Sequence, residues 1–383
     1  MREFAVVLLV SAIVTYLLTP LLRAAAIRVR AMAQPRDRDV HAIPTPRLGG
    51  LAMYGGILAG VFVATVLPAL QRTFVYSQDI LGVLVAGGLI CLLGTVDDRF
   101  NLDALTKLTG QIACAGVMAL FGVQITFIYL PFGDVGTVSL GSDISVPLTI
   151  LLTVLTINAM NFVDGLDGLL AGVAGIAALA LFAYSYDLSR TLSDVASAPS
   201  LIAAVLVGSC LGFLPHNFQP ARIFMGDSGS MLIGLLLAAA AVSATSKADV
   251  QGFDTASTVL PLTLPLLIPL AVLAFPLFDL VLAVLRRTRA GRSPFAPDKQ
   301  HLHHRLLEIG HSHRRAVLIL YLWTLLLAFG TVAMSILGVS ARVVLVLVVL
   351  LVVAVLLSSI PQLRPPRDPR EDRKPRVVRA RAD

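Results

Sequence analysis

Charged residues are scarce in this chain of 383 residues. Asp, Glu, Lys and Arg make up only 14% of the sequence, whereas hydrophobic residues make up 57% and the mean hydropathy is +0.85. A soluble globular chain has about 25% charged residues, so the composition excludes an ordinary water-soluble domain. Several apolar runs are long enough to cross a bilayer as helices. We therefore predict an all-α polytopic integral membrane protein.

Cysteine is also rare. The three cysteines, Cys91, Cys114 and Cys210, lie inside apolar runs and lack metal-ligand spacing. This pattern excludes a disulfide framework and a cysteine-based zinc site, and we expect three buried thiols. The first apolar run lacks a small-residue cleavage site of the Ala-x-Ala kind. We predict that this run is retained as the first membrane helix.

The apolar runs predict about eleven membrane-spanning helices. Residues 124–145 combine prolines and glycines with alternating Val and Leu, which predicts a loop with a short hairpin. Four prolines, at positions 261, 265, 269 and 276, predict a kinked ninth span. The predicted spans are 3–22, 48–69, 80–96, 107–123, 146–160, 168–184, 200–214, 229–245, 259–284, 316–336 and 342–360.

Basic residues are distributed unequally between the two sides of this topology. With the N-terminus outside, 25 of the 30 Lys and Arg residues fall in the inner loops and the C-terminal tail. The positive-inside rule therefore predicts a cytoplasmic C-terminus in the inner (plasma) membrane. Residues 1–360 form one predicted transmembrane catalytic domain, and the basic, proline-rich residues 361–383 a disordered tail. Such an inner face suits anionic lipids and phosphorylated substrates better than nucleic acid.

Four polar clusters interrupt the apolar runs, each in a predicted inner loop. The richest, at 158–168, reads Asn-Ala-Met-Asn-Phe-Val-Asp-Gly-Leu-Asp-Gly. Carboxylates so close to hydrocarbon need a partner, a wet cavity or a metal. Because all four clusters fall on one side, we predict a single site at the cytoplasmic face. The other three clusters are Asp97-Asp98, Gly226-Asp227-Ser228 and His301-Leu302-His303-His304.

Acidic and basic residues in these clusters suit phosphate and metal chemistry. Asp97 and Asp98 could hold a divalent metal or transfer a proton, although an isolated pair would more simply be a solvated helix end. Asp227 is either a helix N-cap or, beside the other acids, a metal ligand, and we favour the ligand. Lys107 could supply a point charge for a phosphate or act as a snorkelling anchor.

Histidines are concentrated in the basic loop 285–315. His301, His303 and His304, followed by Arg305, could be zinc ligands, but no cysteine or further close ligand completes a set. We instead expect them to hydrogen-bond to phosphate or sugar. An early basic, turn-rich loop contains Thr45 and Arg47 and leads into the second span.

Together these motifs resemble the polyprenyl-phosphate N-acetylhexosamine-1-phosphate transferases, a superfamily shared with phospho-N-acetylmuramoyl-pentapeptide transferase. The resemblance covers nearly the whole membrane region, with the motifs dispersed in order over residues 41–305. The matching pieces are Thr45-Pro-Arg47-x-Gly-Gly, Asp97-Asp98, Asn158-x-x-Asn161-x-x-Asp164-Gly-x-Asp167-Gly, Met225-Gly-Asp227-x-Gly-Ser and His301-x-His303-His304.

The resemblance implies transfer of a sugar-1-phosphate from a UDP-sugar to a membrane polyprenyl phosphate, with release of UMP. It implies Mg²⁺, or alternatively Mn²⁺, bound by Asp227 and Asn161, and catalysis by Asp97 and Asp98. Whether these two acids activate the lipid phosphate or form a covalent phospho-sugar intermediate is left open. The predicted substrate-binding residues, with Asp164 and Asp167 at the uridine, are Thr45, Arg47, Lys107, Asn158, Asp164, Asp167, His301, His303, His304 and Arg305.

Two alternatives compete with this interpretation. Thr-Pro-Arg and His-x-His-His resemble the GlcNAc-1-phosphate branch, which initiates cell-envelope glycans, whereas the muramoyl-pentapeptide branch typically has three consecutive histidines and Thr-Met-Gly-Gly. An ion-coupled transporter would suit the intramembrane Asp279. However, the polar groups gather at one face and do not line a path across, which favours the transferase. A homodimer is left open.

Overall fold

Helices form almost all of the described structure. The computed structural model describes residues 1–33, 44–76, 78–130, 136–191, 197–246, 271, 273–289, 291, 302–337 and 340–360. The helices are α1 (Arg2–Arg28), α2 (Gly49–Val66), α3 (Gln71–Tyr76), α4 (Asp79–Phe100), α5 (Ala104–Leu120), α6 (Ser142–Val163), α7 (Leu169–Thr191), α8 (Ala198–Asn217), α9 (Gly226–Ser246), α10 (Ala274–Arg289), α11 (Leu302–Ile309), α12 (His313–Leu337) and α13 (Ala341–Ser359).

Within the described ranges, nine helices are long and apolar enough to cross a membrane. They are α1, α2, α4, α6, α7, α8, α9, α12 and α13. This confirms a polytopic α-helical membrane protein. The shorter α5 has 17 residues and covers most of the predicted fourth span. Half of the predicted ninth span lies outside the described residues, so the count of eleven and the orientation of the termini stay predictions.

Two short antiparallel hairpins join the helices. β1 (Met32–Ala33) pairs with β2 (Thr45–Pro46), and β3 (Phe127–Leu130) pairs with β4 (Gly136–Ser139). The second strand pair confirms the hairpin predicted within 124–145. Residues 131–135 lie outside the described residues, and α6 already begins at Ser142, so the predicted loop was too long at its end.

Helix α9 runs through the centre of the bundle. All of its 18-residue apolar window is buried, and it contacts α2, α4, α6, α7 and α8. Small residues allow this close packing: a Cβ at Gly94 of α4 would collide with the backbone of Ser228, and one at Gly234 with the backbone of Ile157. In contrast, only 6% of the α13 window is buried, as expected for a uniformly apolar helix that faces lipid.

Several buried hydroxyl groups inside the bundle donate to backbone carbonyls of the protein. The hydroxyl of Ser11 in α1 donates to the Val205 carbonyl of α8 at 2.8 Å, and the Thr19 hydroxyl donates to the Thr15 carbonyl one turn earlier. Such internal bonds are required where water is excluded. The three cysteines are buried and unbonded to one another, as predicted.

Candidate active site

Four helix ends meet at one end of the bundle. Helices α4 and α6 finish there, while α5 and α9 begin there. These ends carry Asp97, Asp98, Lys107, Asn161 and Asp227, which the contacts below join into one cluster. The prediction that dispersed polar motifs converge at one face is therefore confirmed for these residues.

The segment before α2 is attached to the segment before α9 by backbone hydrogen bonds. The Phe224 N–H donates to the Pro46 carbonyl at 2.8 Å, and the Gly49 N–H donates back to the Phe224 carbonyl at 3.1 Å. This pairing brings Arg47 to the cluster, where its Nη1 lies 3.6 Å from Asp98 Oδ1. Thr45 is buried in β2 on the same segment.

Asp98 caps the N-terminus of the central helix α9, although it lies far from α9 in the sequence. Its Oδ1 accepts the Asp227 N–H at 3.0 Å and its Oδ2 accepts the Ser228 N–H at 3.2 Å. A carboxylate at a helix N-terminus satisfies free N–H groups and interacts favourably with the helix dipole. Gly226 has a φ of +71°, and a Cβ there would collide with the Asp98 carboxylate, so only glycine suits this position.

Lys107 links the two acids that face each other across the site. Its Nζ lies 2.8 Å from Asp97 Oδ2 and 3.1 Å from Asp227 Oδ2. Asp103 fixes the start of α5 by accepting the Leu105 and Thr106 N–H groups, both at 3.0 Å. Lys107 is thereby held in the first turns of α5 and serves as an internal counter-ion, a role that the sequence did not suggest. Its predicted contact with a phosphate stays a prediction.

Asn161 is directly bonded to Asp227. Its Nδ2 donates to Asp227 Oδ1 at 2.5 Å and to Ser230 Oγ at 2.8 Å. The Asp227 side chain is 27% exposed, compared with 6% for Asp97 and 0% for Asp98. Asp227 is therefore the acid of the cluster with the most accessible carboxylate.

Asp227 and Asn161 fit a divalent metal by the chemistry of their donors. Half a turn of the Asn161 amide would bring its Oδ1 beside Asp227 Oδ1, since amide N and O are assigned from hydrogen bonds. Mg²⁺ prefers oxygen ligands and keeps positions for water and phosphate. No three His, Cys, Asp or Glu side chains form a metal-holding group within the described ranges. Asp227 and Asn161 could supply two oxygen ligands to such a metal.

Asn158 lies one turn before Asn161 and faces another helix. Its Nδ2 donates to Gln111 Oε1 at 2.7 Å and to the Val154 carbonyl at 2.8 Å. Gln111 is buried in α5 and donates weakly to the Met231 sulfur at 3.4 Å. Sequence reasoning missed Gln111, although a polar residue four positions after Lys107 on an apolar helix was a usable signal.

Asp164 follows the end of α6 and is only partly exposed. Burial, and then the negative charges of Asp227 and Asp98, raise the pKa of Asp164 to about 7. Asp167 is buried, and its Oδ2 accepts the Ala221 N–H at 3.0 Å. Their contact with uridine stays a prediction, as does every other substrate contact.

The loop between α8 and α9 is anchored from several sides. Asn217 accepts the Gly168 N–H at 3.1 Å and donates to the Ile223 carbonyl at 3.0 Å. Arg314 of α12 donates to the Gln219 carbonyl at 3.0 Å. Neither Asn217 nor Arg314 was singled out from the sequence. Because this loop leads into Asp227, these contacts help to fix the metal-ligand candidate.

A buried arginine lies close to the α6 motif. The guanidinium of Arg287 in α10 lies 5.2 Å from the centre of the Phe162 ring, next to Asn161, and the residue is only 4% exposed. Sequence reasoning counted Arg287 merely as an inner-loop charge. His301 and the side chains of His303, His304 and Arg305 lie outside the described residues, so the predicted phosphate-binding histidine loop stays a prediction.

Acids, amides and cations clustered at one end of a membrane helix bundle define the class of this protein: a membrane-embedded enzyme with a site suited to charged phosphate groups. The profile of glycosyl transferase family 4 matches residues 80–245, which extend from the start of α4 to the end of α9, within one residue at each end, and include most of the cluster.

Relatives extend the match over most of the chain. A decaprenyl-phosphate N-acetylglucosaminephosphotransferase from Mycobacterium leprae is 52% identical over 332 residues, which are 86% of this chain and 83% of the relative. A probable undecaprenyl-phosphate N-acetylglucosaminyl 1-phosphate transferase from Bacillus subtilis is 32% identical over 84% and 82% of the two chains. An undecaprenyl-phosphate alpha-N-acetylglucosaminyl 1-phosphate transferase from Escherichia coli K12 is 31% identical over 80% and 77%. The chain belongs to glycosyl transferase family 4.

Proposed function

We propose that this enzyme transfers N-acetylglucosamine-1-phosphate from UDP-GlcNAc to a membrane polyprenyl phosphate and releases UMP. The relatives named above, which cover more than three quarters of the chain, support the reaction class and the acceptor class. The observation that carries the proposal is the contact of Lys107 with both Asp97 and Asp227 at the shared end of α4, α5 and α9. The product would initiate a cell-envelope glycan.

Charge repulsion is the main obstacle to this reaction. An oxygen of the acceptor phosphate attacks the sugar-linked phosphorus of the donor diphosphate, and the bridging bond to UMP breaks with its electron pair on the UMP oxygen. Both reactants are anionic, so positioning and charge neutralisation dominate catalysis. Lys107 and Arg47 are the described cations at the acidic cluster that suit this task.

A metal ion would complete the neutralisation. We assign its binding to Asp227 and Asn161, whose side chains contact each other where the cluster is most accessible to solvent. A bound Mg²⁺, or Mn²⁺, would supply positive charge to the diphosphate oxygens. The protein itself orients these two ligands. Ser230 accepts a hydrogen bond from Asn161, and Asp98 holds the start of α9, which carries Asp227.

The geometry favours direct attack by the acceptor over a covalent intermediate. Both carboxylate oxygens of Asp98 accept hydrogen bonds from N–H groups of α9. In Asp97, one oxygen accepts the Leu102 N–H at 2.8 Å and the other is ion-paired with Lys107. Neither acid therefore has an oxygen without a protein partner for attack on phosphorus. A phosphate monoester has a second pKa of about 6 and is mostly ionised at neutral pH without a base. In this proposal Asp97 and Asp98 act by holding Lys107, Arg47 and α9 in place.

Decaprenyl phosphate is the proposed acceptor. Mycobacterial relatives named for decaprenyl phosphate are 52–53% identical, whereas relatives named for undecaprenyl phosphate are 30–32% identical. The purified enzyme should therefore show a higher kcat/KM with decaprenyl than with undecaprenyl phosphate. Equal or reversed values would remove the preference and leave the reaction class intact.

The proposed active site faces the cytoplasm, where UDP-sugars are made. The excess of basic residues on that side supports the assignment. Because the native cysteines are buried, the exposed Arg222 and the exposed Asp143, at the start of α6, can each be changed to Cys for labelling. Arg222→Cys should react only from the cytoplasmic side and Asp143→Cys only from the other side. The opposite pattern would invert the orientation.

Donor selectivity tests the proposed function. Purified protein should form a lipid-extractable product from UDP-GlcNAc and decaprenyl phosphate, and should not use UDP-N-acetylmuramoyl-pentapeptide. Asp227→Ala should abolish the product, whereas Asp79→Asn, at the start of α4, should retain it. A product from the pentapeptide donor alone would assign the chain to the other branch of the superfamily.

A further inference from the structure

Both carboxylate oxygens of Asp227 have protein partners. Oδ1 accepts from Asn161 Nδ2 at 2.5 Å, and Oδ2 is paired with Lys107 Nζ at 3.1 Å. A divalent cation bound to this carboxylate would lie within a few ångströms of the Lys107 ammonium, and the two positive charges would repel each other. Lys107 and a metal are therefore competitors for Asp227.

Lys107 carries a positive charge that is shared by two neighbouring acids. Its Nζ also contacts Asp97 Oδ2 at 2.8 Å, and its side chain is only 18% exposed, so the charge is poorly screened by water. Among the described residues, the second cation ion-paired in the cluster is Arg47, which contacts Asp98 instead. Removal of Lys107 would leave Asp97 and Asp227 facing each other without an ion pair to any cation in the described part of the chain.

We propose that Lys107 is an exchangeable counter-ion, which a divalent cation displaces from Asp227 and which then binds the diphosphate of the sugar donor. Asp97 stays as the second anchor, so the ammonium moves from between two carboxylates to between one carboxylate and the substrate. The metal-exchange half concerns protein without substrate, whereas the diphosphate half rests on the proposed function.

Asn161 is suited to the same exchange. Turning its amide replaces the Nδ2–Asp227 hydrogen bond with an oxygen directed at the metal, and Ser230 supports either orientation because its hydroxyl can accept from Nδ2 or donate to Oδ1. The cluster therefore satisfies its own charges in one arrangement and offers two oxygen ligands in the other.

Metal affinity in the absence of substrate tests the exchange. Binding of Mn²⁺ to purified full-length protein can be followed by electron paramagnetic resonance. Lys107→Met should bind Mn²⁺ about tenfold more tightly than the wild type or better, because a competing charge within a few ångströms is removed. Lys107→Arg keeps the charge and should stay within about threefold of the wild type.

Two further variants make the result decisive. Arg99→Met removes a charge next to the same helix end, but the Arg99 side chain is exposed and lies over Phe100, so Mn²⁺ affinity should not change. If Lys107→Met does not fold, Lys107→Gln removes the charge and keeps hydrogen-bond donors for both carboxylates. Unchanged or weaker Mn²⁺ binding by the uncharged variants would overturn the proposal.

Binding of UDP-GlcNAc tests the second half. Wild-type protein should bind the donor more tightly when Mn²⁺ is present, and Lys107→Met should lose a large part of this coupling because no released ammonium reaches the diphosphate. Retention of the full coupling would contradict the diphosphate step. If Lys107→Met binds Mn²⁺ more tightly but the wild type transfers no sugar phosphate, the exchange is upheld and the proposed function is refuted.

Discussion

The Asp98 carboxylate accepts the backbone N–H of Asp227 at 3.0 Å, although 129 positions separate the two residues. This contact ties the end of α4 to the beginning of the central α9. It gives Asp98 a role in positioning the metal-ligand candidate that the motif Asp97-Asp98 did not reveal.

Loss of the Asp98 cap should destabilise the protein more than loss of an exposed cap. N-cap replacement by Ala usually costs about 1 kcal/mol, and a buried cap that leaves N–H groups unsatisfied costs more. Asp98→Ala should therefore lower the free energy of unfolding more than Asp103→Ala, which removes the exposed cap of α5. Denaturation in detergent measures both. An equal or smaller effect of Asp98→Ala would argue against the cap.

Asp227 and Asp97 should respond differently to added metal. Asp227→Asn keeps an oxygen ligand and loses a charge that attracts the metal, so part of its lost rate should return at high Mg²⁺. Asp97→Asn should lower the rate by about 10²-fold without rescue, because the charge that anchors and positions Lys107 is lost. Rates measured against Mg²⁺ concentration separate the two. If high Mg²⁺ restores the rate of Asp97→Asn but not of Asp227→Asn, Asp97 is the metal ligand and the assignment is wrong.

The raised pKa of Asp164 predicts a pH-dependent stability. With a folded-state pKa of about 7, Asp164 keeps its proton between about pH 4 and pH 7, where the same residue in the unfolded chain is already ionised. Its contribution favours the folded state at acidic pH and is lost as the pH rises from about 4 to about 7. Asp164→Asn removes this titration, so its melting temperature relative to the wild type should increase from pH 5 to pH 8. Measurement in chelator keeps metal effects out, and a pH-independent difference would contradict the burial of an ionisable Asp164.

Gln111 and Asn158 should act as a coupled pair. Their 2.7 Å hydrogen bond joins α5, which carries Lys107, to α6, which carries Asn161. Gln111→Leu strands a donor of Asn158, which costs about 1–3 kcal/mol, whereas the double variant with Asn158→Leu should cost less than the sum of the single changes. A double-mutant cycle of unfolding free energies tests this. Additive losses would show that the amides do not interact.

The membrane helices could be predicted because each depends on a local run of apolar residues. Convergence of the motifs at one face could also be predicted, because successive loops alternate between the two sides of the membrane and all four motifs fall in loops of the same side. Contacts between distant residues could not be predicted, since they depend on how closely helices approach. For example, Gly94 lets α4 touch α9 and so brings Asp98 to the Asp227 backbone. Arg287 gave no signal among the many inner-loop arginines, and only the packing of α10 against α6 reveals it.

Transfer of the sugar together with its phosphate is the central claim, and a doubly labelled donor tests it most directly. UDP-GlcNAc carrying ³²P at the sugar-linked phosphate and ³H in the sugar is incubated with purified protein, Mg²⁺ and decaprenyl phosphate. The account predicts that both labels enter the lipid fraction in equal molar amounts while unlabelled UMP is released. Entry of ³H without ³²P, or retention of both labels in the nucleotide, would contradict it.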